Sequence, residues 1–529
     1  MSVCDKEGKR LTDTESVLNR WKEHFEQLLN KDEIANKTER SPPDESNSPT
    51  EAEILIAIKK LRNRKAPGPD GVNPEILKSG GMPVVRELKA LFDLIWEHEM
   101  LPDDWNEAII LPFHKKGSTA ECSNYRGISL LCIAYKILES ILLSRSREDL
   151  EQETRESQAG FRRGRSCADQ IFSIRMILES FQEYRQPLVL VFLDFSAAFD
   201  SLSRKALWES VRKRLPSKTA KLLETMYLRT RSRVRINGKL TSSFKVNAGV
   251  RQGGVMSPNL FCVSIDEVLA ALDMTQCGLS IDDGSSLTDL AFADDITLLS
   301  SNVEEMQTMI NIIQEEALKC GLMLNHSKCK ALAQNVNTDM PLKVNGKEIE
   351  YVSTFNYLGS FISSNGNITP EVNNRISKAT KAFGMLKTLW SSRDVRRSIK
   401  LRFYKAGIRS TLLYACETWP LKSSDYARLY AFEKRCLRRI LRNEYTSREN
   451  VFEECKMRHE SRNNISTLEV SRPRATIETR TNTATMFSDE SGGIVETAVV
   501  WVMHDQRQIF QEKMRKIYNE PIQHQPQKL

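Results

Sequence analysis

At 529 residues the chain is long enough for roughly three to four structural units around a large core, which excludes a peptide or a small disulfide scaffold. Lys and Arg number 77 against 69 Asp and Glu, a modest net charge of +8 whose location matters more than its size. The eleven cysteines form no Cys-x-x-Cys pair, so neither a zinc knuckle nor a disulfide framework is expected, and no apolar leader follows Met1. Reduced thiols in a soluble, intracellular protein without a membrane partner are the expectation.

Leu11 to Leu29 reads as an amphipathic helix, with Thr14 its expected cap and Val17, Trp21, Phe25 and Leu28 on one face. Its expected role is packing. Residues 35–50, rich in Ser, Pro, Asn and acidic groups, read as a linker, and another helix follows at about residues 51–62. Pro187 opens a continuous apolar run to Leu193, the pattern of a strand buried on both faces, and its end exposes Asp194. Leu287 to Leu290 and Ile296 to Leu299 are short strand-like segments flanking Asp294-Asp295, which places that pair at the tip of a β-hairpin. The dipeptide alone says little, because Asp103-Asp104 and Asp282-Asp283 also occur.

Three carboxylates on strand ends suit hard divalent cations. Magnesium takes oxygen ligands, and two ions about 4 Å apart stabilise both the attacking and the leaving oxygen of an in-line phosphoryl displacement. The expected cofactor is therefore Mg2+, with Mn2+ as a substitute, held by Asp194, Asp294 and Asp295.

Further on, Ser301 to Glu304 has capping-box spacing, and Val303, Met306, Ile310, Ile313 and Ala317 form a helical stripe before Gly321. Leu322 to Asn325 reads as strand-like. A second stripe runs through Val372, Ile376, Ala379, Phe383, Leu386 and Trp390, and a third through Leu429, Phe432, Leu437 and Ile440. Basic residues recur from Arg375 to Arg442, among them Lys378, Lys381, Arg396, Arg397, Arg402, Arg409, Lys434, Arg435, Arg438 and Arg439, and are expected to track a phosphate backbone. Ser461 to Thr485 is polar and rich in Arg and Thr, and the apolar stretch Ala498 to Met503 is too short to cross a bilayer.

In order, the chain carries Lys65-Ala-Pro-Gly-Pro-Asp-Gly71, Ile109 to Gly117, Asn124-Tyr-Arg-Gly-Ile-Ser129, Gln158-Ala-Gly-Phe-Arg-Arg-Gly-Arg165, Asp194-Phe-Ser-Ala-Ala-Phe-Asp200, Gly249 to Pro258, Phe292-Ala-Asp-Asp295, Leu324 to Lys330 and Tyr357-Leu-Gly359. This series resembles the reverse transcriptase of a non-LTR (LINE-type) retrotransposon over residues 9–445. The resemblance implies an α+β right-hand polymerase with fingers, an antiparallel palm sheet and a helical thumb. Its divisions are an N-terminal helix and linker (1–52), fingers (53–185), palm (186–362, within a core of about 109–362), thumb (363–448) and a C-terminal tail of unassigned role (449–529). Asp194, Asp294 and Asp295 resemble the family's metal-binding triad. Arg126 resembles its phosphate-contacting arginine, with Lys115 and Lys116 as companions, and Phe199 takes the place of an aromatic that excludes a 2′-hydroxyl. Gln252-Gly253 resembles the segment supporting the templating base, and Lys328 the proton donor to pyrophosphate. Tyr357, Leu358 and Gly359 correspond to a primer grip, and Lys434, Arg435, Arg438 and Arg439 would meet the duplex.

The implied partners are an RNA template, a DNA primer and deoxynucleoside triphosphates, in a cytoplasmic and nuclear ribonucleoprotein; the oligomeric state is left open. The family's apurinic-type endonuclease has no room before Lys9, so target nicking is not expected of this chain. The alternatives are a group II intron maturase, an RNA-templated RNA polymerase, which Phe199 opposes, and an incomplete or domesticated copy that only binds nucleic acid.

Overall fold

A computed structural model describes residues 2–30, 47–280 and 286–441. Its centre is a five-stranded sheet ordered Asp289–Phe292, Asp295–Ser300, Leu188–Leu193, Lys330–Gln334 and Glu350–Tyr351. Neighbours are antiparallel except the last pair, which is parallel. The middle strand shows why an uninterrupted apolar run was needed. Val189, Val191 and Leu193 face one cluster, with Leu260 and Ile265 of the Ser257–Asp273 helix and Met306, Ile310 and Ile313 of the Val303–Lys319 helix. Leu188, Leu190 and Phe192 face the other, with Ile171, Ile174 and Leu178 of the Cys167–Glu183 helix and Tyr357 and Ile362 of the Thr354–Ser363 hairpin. Both faces are dry, so alternation has no reason to appear.

A second sheet lies N-terminal, in the order Tyr125–Leu130, Glu107–His114, Arg231–Ile236, Lys239–Leu240, with Phe244–Lys245 also on Arg231–Ile236. The Thr14–Leu28 helix lays Val17, Trp21 and Phe25 against Ile110, Tyr125 and Val234 of this sheet. Trp21 is fully buried, and its truncation to alanine is worth about 3–5 kcal/mol of stability. Packing is thus its role, as its stripe implied, but the cap is Asp13, whose carboxylate accepts the Ser16 N–H at 2.8 Å, and not Thr14. A similar one-residue shift occurs at the Val303–Lys319 helix. Asn302, not Ser301, is the cap, with Oδ1 accepting the Glu304 N–H at 2.7 Å. The apolar stripe of that helix is buried as read, and Gly321 follows at φ +72°.

Leu322 to Asn325 is not a strand. It makes a single bridge, Leu324 to Phe195, and its backbone bonds with the Asp194–Ser196 segment.

The last described part is helical, over Thr369–Met385, Lys387–Ser391, Arg397–Phe403, a π-helical stretch Tyr404–Arg409 and Ser423–Ile440. Val372, Ala379, Trp390, Tyr404, Leu429, Phe432 and Leu437 form its core. The stripe ending at Trp390 is broken at Leu386, so that Trp390 comes from a separate short helix. Two of the basic positions named above do not face solvent, and neither does Lys400 between them. Arg375 is buried in an ion pair with Glu371 at 2.5 Å, and Arg409 in one with Glu433 at 3.2 Å. Residues 31–46, 281–285 and 442–529, and with them most of the linker, Asp282-Asp283, Arg442 and the whole tail, lie outside the described residues.

Candidate active site

Asp194 follows the middle strand directly, and Leu193 pairs with Ile296 across the ladder, so Asp194 and Asp295 leave the sheet side by side. Phe292 pairs with Asp295, leaving Ala293-Asp294 as a two-residue hairpin tip. Ala293 adopts φ +57° there. Burial pushes the Asp294 carboxyl above its ordinary range, and the neighbouring Asp194 charge adds to this. Asp295 is pushed up to about 6, by burial first and then by the charges of Asp294 and Asp194.

Cations surround this acidic point. Lys328 Nζ lies 2.7 Å from Asp194 Oδ2. The Lys115 ammonium is held below its ordinary range by desolvation and then by repulsion from Arg126, Lys328 and Lys116, while Asp194 draws it the other way. Arg126 stands opposite Phe113 in the second sheet, one register step from the His114–Tyr125 pair. His114 turns its Nε2 to the Gly117 carbonyl at 3.1 Å, which leaves Lys115, Lys116 and Arg126 as the solvent-facing basic groups of the hairpin.

Among the described residues no three His, Cys, Asp or Glu side chains already enclose one point as a metal cage. The donor set still fits a hard divalent ion. It is made of carboxylate oxygens alone, and the two hairpin carboxyls carry raised proton affinities that a cation would relieve.

Phe199 lies in the single helical turn Ala198–Ser201 and stacks on Phe261, centroids 4.2 Å apart and planes 17° from parallel, with part of its ring exposed at the edge of the core. The Gly249–Gly253 loop is locked to this turn. Val250 N–H donates to Phe199 O at 2.9 Å, and a Cβ on Gly249 would stand 2.6 Å from that same oxygen. Gln252 Nε2 reaches both Asp200 oxygens at 2.8 Å, and Ser129 N–H donates to Gln252 O at 2.7 Å. Gly253, at φ +132°, passes so close to the second sheet that a Cβ would meet Ser129 O at 2.4 Å. Gln252 and Gly253 therefore sit between the Ala198–Ser201 turn and the edge of the second sheet.

Leu358 and Gly359 form the tip of the Thr354–Ser363 hairpin, both at positive φ, while Tyr357 is buried beneath. Tyr414 Oη donates to Leu358 O at 3.0 Å, and Arg375 caps the tip through Gly359 O. Lys434, Arg435, Arg438 and Arg439 line one open recess on the Ser423–Ile440 helix with Ala431. The described structure gives no direct contact between that recess and the carboxylate hairpin.

Sequence reasoning passed over Asp200, which clamps Gln252, and Arg204, a buried guanidinium that donates to the carbonyls of Gly249, Tyr227 and Val246 and holds the loop in place. It also passed over Glu139, fully buried, whose carboxylate takes the Val255 N–H at 2.7 Å and which burial pushes up to about 7. Asp200 closes a motif already singled out, and its spacing from Asp194 was the available signal. Arg204 and Glu139 had none.

The chain mixes helix and sheet and sets strand-end carboxylates against basic side chains. Residues 113–362 match the family described as "Reverse transcriptase (RNA-dependent DNA polymerase)". The chain is 27% identical over 405 residues to a probable RNA-directed DNA polymerase from transposon BS of Drosophila melanogaster, covering 73% of this chain and 44% of that one. It is also 27% identical over 404 residues to the corresponding polymerase from transposon X-element of the same fly, covering 73% and 43%. With the Pol polyprotein of the type-1 retrotransposable element R2 from Nasonia vitripennis it shares 26% identity over 323 residues, 59% and 31%. A solved telomerase from Candida albicans, in complex with a fragment of telomeric RNA, is 12% identical with a TM-score of 0.39 over 67% of this chain and 66% of that one, too distant to carry an argument. Residues 113–362 thus match a reverse transcriptase domain and are similar to the polymerases of non-LTR retrotransposons, and the chain spans less than half the length of the curated relatives it matches. No helix among the described residues is long and apolar enough to cross a membrane.

Proposed function

We propose that this chain is an RNA-directed DNA polymerase that extends a primer 3′-hydroxyl with deoxynucleotides on an RNA template, using Asp194, Asp294 and Asp295 to hold two Mg2+ or Mn2+ ions. The observation that carries the reading is the ladder pairing of Leu193 with Ile296, which brings Asp194 beside the Asp294-Asp295 tip although a hundred-odd residues separate them. When bound, the ions lower the charge cost of forming the nucleophile and of releasing pyrophosphate. In this reading residues 53–185 are the fingers, 186–362 with the central sheet the palm, and 363–448 the thumb, the second sheet joining strands of the fingers to the Arg231–Lys245 strands of the palm division.

The chain's own side chains divide the remaining work. Arg126 and Lys115, already facing the carboxylates, take the triphosphate oxygens, and a guanidinium fork suits them bidentately. The primer hydroxyl gives up its proton to solvent and its oxygen bonds to the α-phosphorus as the α–β phosphoanhydride bond breaks, while Lys328 supplies a proton to the departing pyrophosphate. Gln252, fixed by Asp200, and Gly253 support the nascent base pair, and the part-exposed edge of Phe199 lies under the sugar. Leu358 and Gly359 at the hairpin tip steer the primer end, while Tyr357, expected among the primer-contacting residues, is buried beneath them and supports the tip from the core. Lys434, Arg435, Arg438 and Arg439 follow the duplex backbone.

The test is primer extension by purified protein on a poly(rA) template with an oligo(dT) primer and Mg2+. Asp194→Asn and Asp294→Asn are each expected to lower the rate on the order of a thousandfold or more, the cost of losing metal-stabilised charge. Folded variants that extend at near the wild-type rate would refute the assignment, and duplex binding without any extension by the wild type would leave only a nucleic-acid-binding role.

A further inference from the structure

The tip that presents Asp294 and Asp295 begins with a residue ill suited to its conformation. Ala293 holds φ +57°, a left-handed geometry disfavoured for any side chain with a Cβ, and it is buried. Something must hold it there. Gln158, itself wholly buried, places Oε1 2.8 Å from the Ala293 N–H and 2.8 Å from the Gly160 N–H, accepting from both. Two convergent donors decide which amide atom faces the tip. Gly160 completes the fit, since a Cβ there would stand 2.4 Å from the Ala293 nitrogen.

The support behind Gln158 is itself stiff. Ser157 and Ala159 run along the outer edge of the sheet, with Ala291 N–H donating to Ser157 O at 3.0 Å and Ala159 N–H to Ala291 O at 2.8 Å. Arg155 ties this segment to Asp273 at 2.6 Å and to the buried Asp289 at 2.8 Å. Arg162 donates to the carbonyls of Arg155 and Gln158, each at 3.0 Å. The amide oxygen thus sets the direction of one peptide N–H in a two-residue turn whose next residues are the two carboxylates.

We infer that Gln158 is a positioning residue for Asp294 and Asp295, its buried amide oxygen fixing the hairpin tip so that both carboxylates meet the divalent ions. The inference rests on the polymerase reading and assigns Gln158 no contact with metal or nucleotide. Groups that orient metal ligands in this way commonly change metal affinity by about 10–100-fold when removed.

The test uses the full chain bound to a primer-template duplex. Gln158→Met matches the volume without an amide oxygen, Gln158→Glu keeps an accepting oxygen, and Gln158→Asn serves if the first variant does not fold. Gln170→Met is the comparator, because Gln170 Nε2 donates to Ser157 O at 3.0 Å and Ala291 O at 3.3 Å on the same edge without touching the tip. Mn2+ binding is read by electron paramagnetic resonance, alongside the half-saturating Mg2+ for extension, duplex affinity and melting temperature. Gln158→Met, or Gln158→Asn in its place, is expected to weaken metal binding at least about tenfold at unchanged duplex affinity, with Gln158→Glu staying near wild type. Gln170→Met should lower the melting temperature without moving the metal curve. Wild-type metal affinity in Gln158→Met, or in the Gln158→Asn that replaces it, or equal metal shifts in the Gln158 and Gln170 variants, overturns the inference while the polymerase reading stands. A wild-type chain that neither binds Mn2+ nor extends a primer overturns both.

Discussion

Replacing Asp295 with asparagine in metal-free protein is expected to make the chain more stable at neutral pH while abolishing its chemistry. The folded protein holds this carboxyl at about 6 against an ordinary value of 3.8, because burial and the charges of Asp294 and Asp194 disfavour ionisation. Each tenfold change in proton affinity corresponds to about 1.4 kcal/mol, but the Asp295 side chain opens to solvent at the end of its strand, so screening reduces the cost of keeping it ionised above pH 6 to on the order of 1–2 kcal/mol. The sign follows from the order of the two values. Below about 3.8 the group is protonated whether folded or not and costs nothing; the penalty grows as pH rises through 6 and is then complete. At pH 5 it is about half its full size. Urea unfolding in EDTA, wild type against Asp295→Asn, should therefore show a gain for the variant that roughly doubles between pH 5 and pH 8. Millimolar Mg2+ should close the gap by stabilising the wild type alone, since a ligand bound only to the folded state adds its binding free energy to stability. A variant less stable than wild type at pH 8, or a gain equal at both pH values, would refute the argument that charge repulsion is stored at this hairpin.

Phe199→Val should raise ribonucleotide incorporation relative to deoxynucleotide, read as a ratio of kcat/KM values, because the ring edge that crowds a 2′-hydroxyl is removed; an unchanged ratio with a lowered melting temperature would make Phe199 only the stacking partner of Phe261. Reversing the charges of Lys434, Arg435, Arg438 and Arg439 should weaken duplex binding and flatten its salt dependence, with chemistry at saturating duplex changed less, and an unchanged salt slope would place the duplex elsewhere. Gly253→Ala should depress nucleotide addition at least about tenfold with the fold retained, since its Cβ would meet Ser129 O at 2.4 Å and push the Gln252 loop from the second sheet; a normal KM and kcat in that variant would show that the close approach is dispensable.

Much of the carboxylate constellation was legible in the residues. A run of six buried apolar positions has one economical reading as a strand, and an acidic pair between two short apolar segments has one as a hairpin tip. The order of the motifs then named the enzyme class. What the sequence hid were partnerships between a side chain and distant backbone. Gln158 acts on the N–H of a residue 135 positions away, and a backbone donor carries no residue-type signal. Arg375 and Arg409 read as solvent-facing cations because their partners, Glu371 and Glu433, differ in no visible way from surface acids. The caps differ by one position because Asp13 and Thr14, like Ser301 and Asn302, both offer a side-chain oxygen that can accept a backbone N–H, and only backbone geometry chooses between them.

The two halves of the carboxylate site hang from supports of different firmness. Asp194 ends a strand laddered on both edges and dry on both faces, so amide protons from Val189 to Leu193 should be among the last in the molecule to exchange with solvent. Asp294 hangs from an outer hairpin whose far side is closed by only a few bonds to Ser157–Gly160. One jaw of the site is held from within the sheet and the other from its outer edge, so a change at Ser157–Gly160 would reach Asp294 without passing through the middle of the sheet.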